Sequence, residues 1–229
     1  LIAEFDSLGV RHENLVIPGA RSGVVVVLVD PTGERTMFPD KGANSRLVVE
    51  DLPDLSEFQA VYISGYALLN PLARDGVLAM IAKIKADGIP IYFDPASVGA
   101  MKDVTDKELH TWFSMMDVIL LNEEESIYLT GSVEIERALD YLLDFSQVVV
   151  IKRGSAGAIA KSRGFDSISL PAVASTVIDT TGAGDSFAAG FIASFSKNRD
   201  LTAALQAGAE LAADCVAIVG GRPRVGTAI

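Results

Sequence analysis

The sequence predicts an α/β fold: a doubly wound, mainly parallel sheet flanked by helices, with a small β lid. Two observations carry that prediction. From Val61 onward, short apolar runs rich in β-branched residues alternate with helix-period segments. Repeated strand–helix alternation implies parallel strands joined by right-handed crossovers. Residues 22–45 break this rhythm, because two strand-like runs there flank the turn Pro31-Thr32-Gly33-Glu34, which reads as a hairpin.

In chain order, Val24 to Asp30 is a β-branched run and Arg35 to Phe38 is its returning strand. Val61 to Ser64 is a strand. Pro71 to Asp87 reads as a helix, with Pro at its start and Gly88 after its end, the usual asymmetry of helix termini. Ile89 to Phe93 and Val118 to Leu121 are strands. Helices follow through Tyr128 and over Val133 to Leu143. Val148 to Ile151 is a buried strand, and Ala158 to Lys161 with Ser167 to Leu170 form a hairpin around Arg163-Gly164. Val173 to Ile178 is strand-like, Ser186 to Ser196 is helical, and Leu201 to Val219 is a long Ala-rich helix. The Phe187, Phe191 and Phe195 rings recur on one helical face, which marks core. The chain reads as one domain, with no internal repeat, low-complexity tract or linker.

Composition bounds the function. A chain of 229 residues, 49% apolar, can bury a sizeable core. Its net charge of −11 argues against nucleic acid as a partner, which needs a basic face. The single Cys215 forms no internal disulfide and sits in an Ala-rich helical run, the setting of a buried core thiol in a reducing compartment. No apolar run reaches membrane-spanning length, so a cytoplasmic protein with no membrane partner is expected. His12 and His110 are isolated and offer no metal-ligand spacing.

The chemistry concentrates in Asp179-Thr180-Thr181-Gly182-Ala183-Gly184-Asp185, between a strand-like run and a helix. Gly182, Ala183 and Gly184 let backbone amides converge, and the helix adds its positive dipole end at the same point. Asp185 stands at the mouth of this anion cradle. A carboxylate there binds phosphate badly but is well placed to deprotonate a hydroxyl that attacks phosphate. The competing reading makes Asp185 a first-turn acid of an ordinary helix. The motif is neither a P-loop, lacking Gly-Lys-Ser/Thr, nor a dinucleotide fingerprint, lacking the third glycine. Asp94, Asn122 and Gly154 also follow predicted strands, so all converge on the strand C-terminal edge where such sheets bind ligands. Asn122 and Glu125 share a helical face. Their oxygens suit Mg²⁺, and Asn-x-x-Glu is equally a capping pattern.

The run Asp179 to Phe191, DTTGAGDSFAAGF, resembles the C-terminal signature of the PfkB family of carbohydrate kinases, the ribokinase-like group. Asn122-Glu123-Glu124-Glu125 is similar to the family's Asn-x-x-Glu motif, Lys152 to Gly157 to its nucleotide-side strand and turn, and Asp94-Pro95 to its strand-closing Asp-Pro. Gly33 to Thr36 and Gly42 to Asn44 resemble the segments flanking its sugar lid. The resemblance implies a ribokinase-like fold and ATP-dependent phosphorylation of a sugar or sugar-acid hydroxyl with Mg²⁺. Asp185 would be the base, and the Gly182, Ala183 and Gly184 amides the anion hole. Lys152, Gly154, Ser155 and Gly157 would line the nucleotide, with Gly208 near adenine. Relatives place K⁺ beside the anion hole, where Asp179, Thr181, Cys215 and Gly220 occupy comparable positions. Arg35, Thr36, Lys41 and Asn44 are the candidate acceptor contacts, and residues 22–45 a lid that also serves relatives as a dimer surface.

The resemblance departs at the start: the family's N-terminal segment, with its Gly-Gly signature and several sugar ligands, has no counterpart here. Leu1 to Phe5 reads as the tail of a helix. An apolar face or unpaired strand edge is therefore expected, and residues 1–229 alone are expected to bind nucleotide weakly, phosphorylate no sugar and aggregate. The alternative function is a sugar- or nucleotide-binding regulator on the same fold without turnover. Asp185 discriminates, because a binding module has no need of a carboxylate facing an anion hole. A nicotinamide-dependent oxidoreductase fails for lack of a dinucleotide turn.

Overall fold

The computed structural model describes residues 2–12, 17, 19–29 and 35–223. A short helix α1 (Ile2–Ser7) precedes a hairpin of β1 (Val24–Val29) and β2 (Arg35–Asp40). The hairpin is an antiparallel two-stranded sheet of its own. Consecutive residues Val24 to Leu28 are all exposed, so neither face of this strand is packed on the core.

The main body runs β3 (Val61–Ser64), α2 (Gly65–Leu68), α3 (Arg74–Ala86), β4 (Ile91–Asp94), α4 (Val98–Met101), α5 (Asp106–Phe113), β5 (Val118–Asn122), α6 (Glu123–Thr130), α7 (Ile135–Leu143), β6 (Val148–Lys152), β7 (Ala158–Ser162), β8 (Ile168–Leu170), α8 (Ala183–Asn198) and α9 (Leu201–Val216). The strands lie in the order β3-β4-β5-β6-β7-β8. They are parallel from β3 to β6 and antiparallel from β6 to β8.

The central strands are unbroken apolar runs because both faces are covered, as parallel strands require. Strand alternation sorts their side chains into two cores. Ile91, Phe93, Ile119, Leu121, Val149 and Ile151 join α3, α5 and α7 on one face. Tyr92, Val118, Leu120, Val148 and Val150 join Phe187, Phe191 and Phe195 of α8 and Leu205 of α9 on the other. The same alternation carries one residue further. Asp94, Asn122 and Lys152, the last residues of β4, β5 and β6, share the parity of the α8-facing set.

Some elements differ from the sequence expectations. The segment 173–178 is no strand. The sheet ends at β8, and the chain instead runs along α9, where the Ser175 hydroxyl donates to Ala213 O and the Ile178 amide to Val216 O. The helix expected from Pro71 begins at Arg74, because Asn70 folds residues 70–73 into a turn, with Oδ1 accepting the Leu72 amide and its carbonyl those of Ala73 and Arg74. The last helix ends at Val216 rather than Val219. Helix α5, not anticipated, opens on a Thr105/Glu108 capping box. His110 is not incidental: it stacks on Phe145 at 4.6 Å and hydrogen-bonds the Tyr141 hydroxyl at 2.9 Å. The predicted turn at 31–34 and Asp30 lie outside the described residues, as does the side chain of Arg35.

Candidate active site

The site forms where the C-terminal ends of β4, β5 and β6 meet the start of α8. Gly182 is the N-cap of α8 at φ +75°, with no side-chain cap. Only glycine fits there, because a Cβ would also stand 2.0 Å from Gly221 O. Asp185 follows in the first turn, exposed. Helix position leaves the first-turn amides without intrahelical acceptors. Of the predicted cradle, the Ala183 amide turns back to Thr180 O at 3.3 Å.

Lys152 Nζ lies 3.4 Å from where a Cβ on Gly184 would sit, against this first turn. It also forms an ion pair of 2.5 Å with Asp94 Oδ2, and these side chains are 14% and 9% exposed. Beneath that bridge, Asn122 and Glu125 cap α6 reciprocally. Asn122 Oδ1 accepts the Glu125 amide and Glu125 Oε2 accepts the Asn122 amide, both at 2.8 Å. Glu125 is buried, and its carboxyl is pushed up to about 7, chiefly by burial and further by the charge of Asp94; the Asn122 amide and Lys152 work against this.

Two residues that the sequence did not single out complete the setting. The hydroxyls of Tyr62 and Tyr66 are both raised above the ordinary phenol range, first by partial burial. The charges of Asp94, Asp185 and Glu125 add to this in both, and a Ser97 hydrogen bond opposes it in Tyr66. Both hydroxyls thus feel the charge of all three carboxylates. The Lys41 ammonium stands 5.5 Å over the Tyr66 ring, so the foot of the hairpin reaches the same place.

Other predicted positions fall as follows. Asp179 Oδ1 accepts the Thr181 amide at 2.9 Å and Oδ2 the Gly220 amide at 3.1 Å, while buried Cys215 donates its thiol to Thr181 O at 3.4 Å. These four residues thus come together behind the cradle. Gly154 and Ser155 form the turn after β6, and Gly157, at φ +88°, lies against Leu170 O. Arg153 Nε is 3.8 Å from Glu123. Asn44 is exposed in the 3-10 turn Gly42–Arg46, its carbonyl accepting Asn70 Nδ2 at 3.4 Å. Among the described contacts none joins Asn44 to Asp185. Gly208 is buried at the α8–α9 crossing, where a Cβ would meet Phe187 O at 2.9 Å and the Phe187 ring at 3.1 Å. Helix packing is by itself a sufficient reason for this glycine.

The donor chemistry fits a hard cation held largely through water. Asn122 and Glu125 are oxygen donors, and Glu125 is a buried acid whose charge a cation would stabilise; no cluster of three or more His, Cys, Asp or Glu suited to a metal occurs among the described residues. No helix among the described residues is long and apolar enough to cross a membrane.

Known proteins resemble this chain in sequence and fold. A fructokinase from Salmonella typhimurium is 32% identical over 213 residues, covering 86% of this chain and 67% of its own length. An adenosine kinase structure from Sinorhizobium meliloti superposes with a TM-score of 0.88 at 24% identity, over 98% of this chain and 70% of that one. A Vibrio cholerae fructokinase, solved with fructose, ADP and calcium ion, gives a TM-score of 0.76 at 26% identity, over 90% of this chain and 70% of that one. The model of the pfkB family carbohydrate kinases matches residues 1–224, and the chain belongs to that family.

Proposed function

We propose that this carbohydrate kinase transfers the terminal phosphoryl group of ATP to a hydroxyl of a sugar or sugar acid, with Asp185 as general base. The observation that carries the reading is the meeting of an exposed carboxylate, a helix N-terminus and an ammonium at the strand C-terminal edge. Asp185 takes the proton of the attacking hydroxyl. The oxygen so freed forms the new P–O bond, and the bond to the leaving ADP breaks. The first-turn amides and Lys152 stabilise the charge gathering on the equatorial oxygens. The β6–β7 turn, with Gly154, Ser155 and Gly157, borders the nucleotide. Asn122 and Glu125 would hold Mg²⁺ through water, and the ion would supply positive charge against the phosphates. Asp179, Thr181 and Gly220 frame the K⁺ position.

The β1–β2 hairpin, with Arg35 and Asn44, covers the acceptor, and its exposed apolar strand suits contact with a second copy. Lys41 beside Tyr66 favours an acceptor carrying a carboxylate. The test is ADP release from ATP and Mg²⁺ by the natural protein, over pentoses, hexoses, sugar acids and nucleosides. Asp185→Asn is expected to leave nucleotide affinity nearly intact and to lower turnover by roughly 10²–10⁴. Turnover within about tenfold of the parent removes Asp185 from the base role.

A further inference from the structure

The Asp94–Lys152 pair spans two strand intervals. Asp94 ends β4, Lys152 ends β6, and β5 lies between them with Asn122 in register with Lys152. The lysine therefore reaches across the Asn122/Glu125 cap to find its carboxylate. At the far end its ammonium rests against the first turn of α8, over Gly184. That is a poor place for a cation, because a helix N-terminus is itself positive. An enclosed ammonium stays there only if a fixed anion holds it.

Asp94 is built to be that anion. Its two oxygens have separate tasks: Oδ2 meets Lys152, and Oδ1 accepts the Ala96 amide at 2.9 Å. Ala96 sits at φ +70°, a left-handed conformation that disfavours alanine. The turn is also pressed from behind, since a Cβ on Gly65 would stand 2.3 Å from Pro95 O. The carboxylate is thus aimed by a strained and crowded turn.

We propose that Asp94 is a positioning residue: it holds the Lys152 ammonium at the first turn of α8, where the terminal phosphate of the nucleotide replaces part of its negative charge. The inference rests on the phosphoryl-transfer reading and deepens it. Asp94 touches no substrate and acts through Lys152.

Asp94→Asn is the informative variant, because the amide oxygen still accepts the Ala96 amide while the charge that holds Lys152 is gone. Binding of adenylyl imidodiphosphate and of ADP is measured by calorimetry, with Mg²⁺ and without sugar. The expected result is a loss of about tenfold for the ATP analogue with ADP changed by less than about threefold. On a turned-over sugar, kcat falls about tenfold while the sugar KM stays within about threefold. Lys152→Met gives the same pattern, and Asp94→Asn/Lys152→Met is no worse than Lys152→Met alone, since one path is removed twice.

Equal losses for both nucleotides, no loss, or a double variant clearly below Lys152→Met overturns the proposal. Should Asp94→Asn fail to fold, the double variant, which leaves neither charge unpaired, carries the comparison with Lys152→Met. A parent that binds both nucleotides but phosphorylates no sugar refutes the kinase reading, while the analogue-to-ADP ratio still decides the role of Asp94.

Discussion

Replacing Glu125 by Gln should make the protein more stable above neutral pH and worse at using its metal. The Glu125 carboxyl is 3% exposed and pushed up to about 7, mainly by burial, against an ordinary value of 4.5. That gap corresponds to about 3 kcal/mol. The sign follows from proton binding. Between pH 4.5 and about 7 the folded state holds this proton and the unfolded state has released it, so stability falls as pH climbs through that window. Above about 7 the folded protein carries a buried charge, and the full about 3 kcal/mol is lost. Glutamine keeps an oxygen for the Asn122 amide, which now bonds Glu125 Oε2 at 2.8 Å, and has no charge to bury. Urea unfolding of parent and Glu125→Gln should therefore coincide near pH 4.5. The variant should gain steadily to about 3 kcal/mol by pH 8.5. A difference that stays constant across this range would refute the reasoning. The same variant should need more Mg²⁺ for half-maximal rate, with sugar affinity little changed. If only stability moves, the Asn122/Glu125 pair is a helix cap and nothing more.

Gly190→Ala should cost about 2 kcal/mol in urea unfolding, because its Cβ would stand 2.4 Å from Ala207 O at the α8–α9 crossing. Gly208→Ala should cost less and leave ADP affinity within about threefold; a larger loss of affinity in a stable variant would restore the nucleotide-contact role for Gly208. Chelating divalent cations should weaken ATP binding by about tenfold or more, and ATP binding indifferent to chelation would break the link between Glu125 and a cation.

The chain made the strand ends legible and their connections illegible. Runs such as Val118 to Leu121 and Val148 to Ile151 announce strands buried on both faces, and turn residues set their limits. Placing Asp94, Asn122, Gly154 and Asp185 on one edge then needed only the rule that such sheets bind ligands beyond strand C-termini. The Asp94–Lys152 bridge was out of reach, since it joins strands that are not neighbours and depends on the observed order β4-β5-β6. Tyr62 and Tyr66 were missed for a related reason: nothing local shows that β3 and α2 bring them within reach of the charge of Asp185. The run 173–178 has strand composition, but an extended segment becomes a strand only if it pairs with a sheet edge, and this one bonds to the end of α9 instead. Thr105-x-x-Glu108 was a readable capping signal for α5. Gly208 was legible only in part: a small residue next to an expected ligand is as readily explained by two helices in close contact.

Charge placement explains how a chain of net charge −11 can receive a polyanion. Asp94, Glu125 and Asp185 all act on Tyr62 and Tyr66, and Lys152 is paired with Asp94, so a bare nucleotide approaching them would meet repulsion. Each carboxylate has a different way of tolerating the approach. Asp94 is neutralised by Lys152 and turned aside by the Ala96 amide. Glu125, raised to about 7 by burial, would give up its proton more readily with a cation beside it. Asp185 is exposed and solvated at the helix start, where the α8 dipole favours its charge. It is the carboxylate among the three that keeps its lone pairs available to a hydroxyl. The least enclosed acid thus suits the base role proposed for Asp185, and the two enclosed acids suit the proposed handling of Lys152 and Mg²⁺.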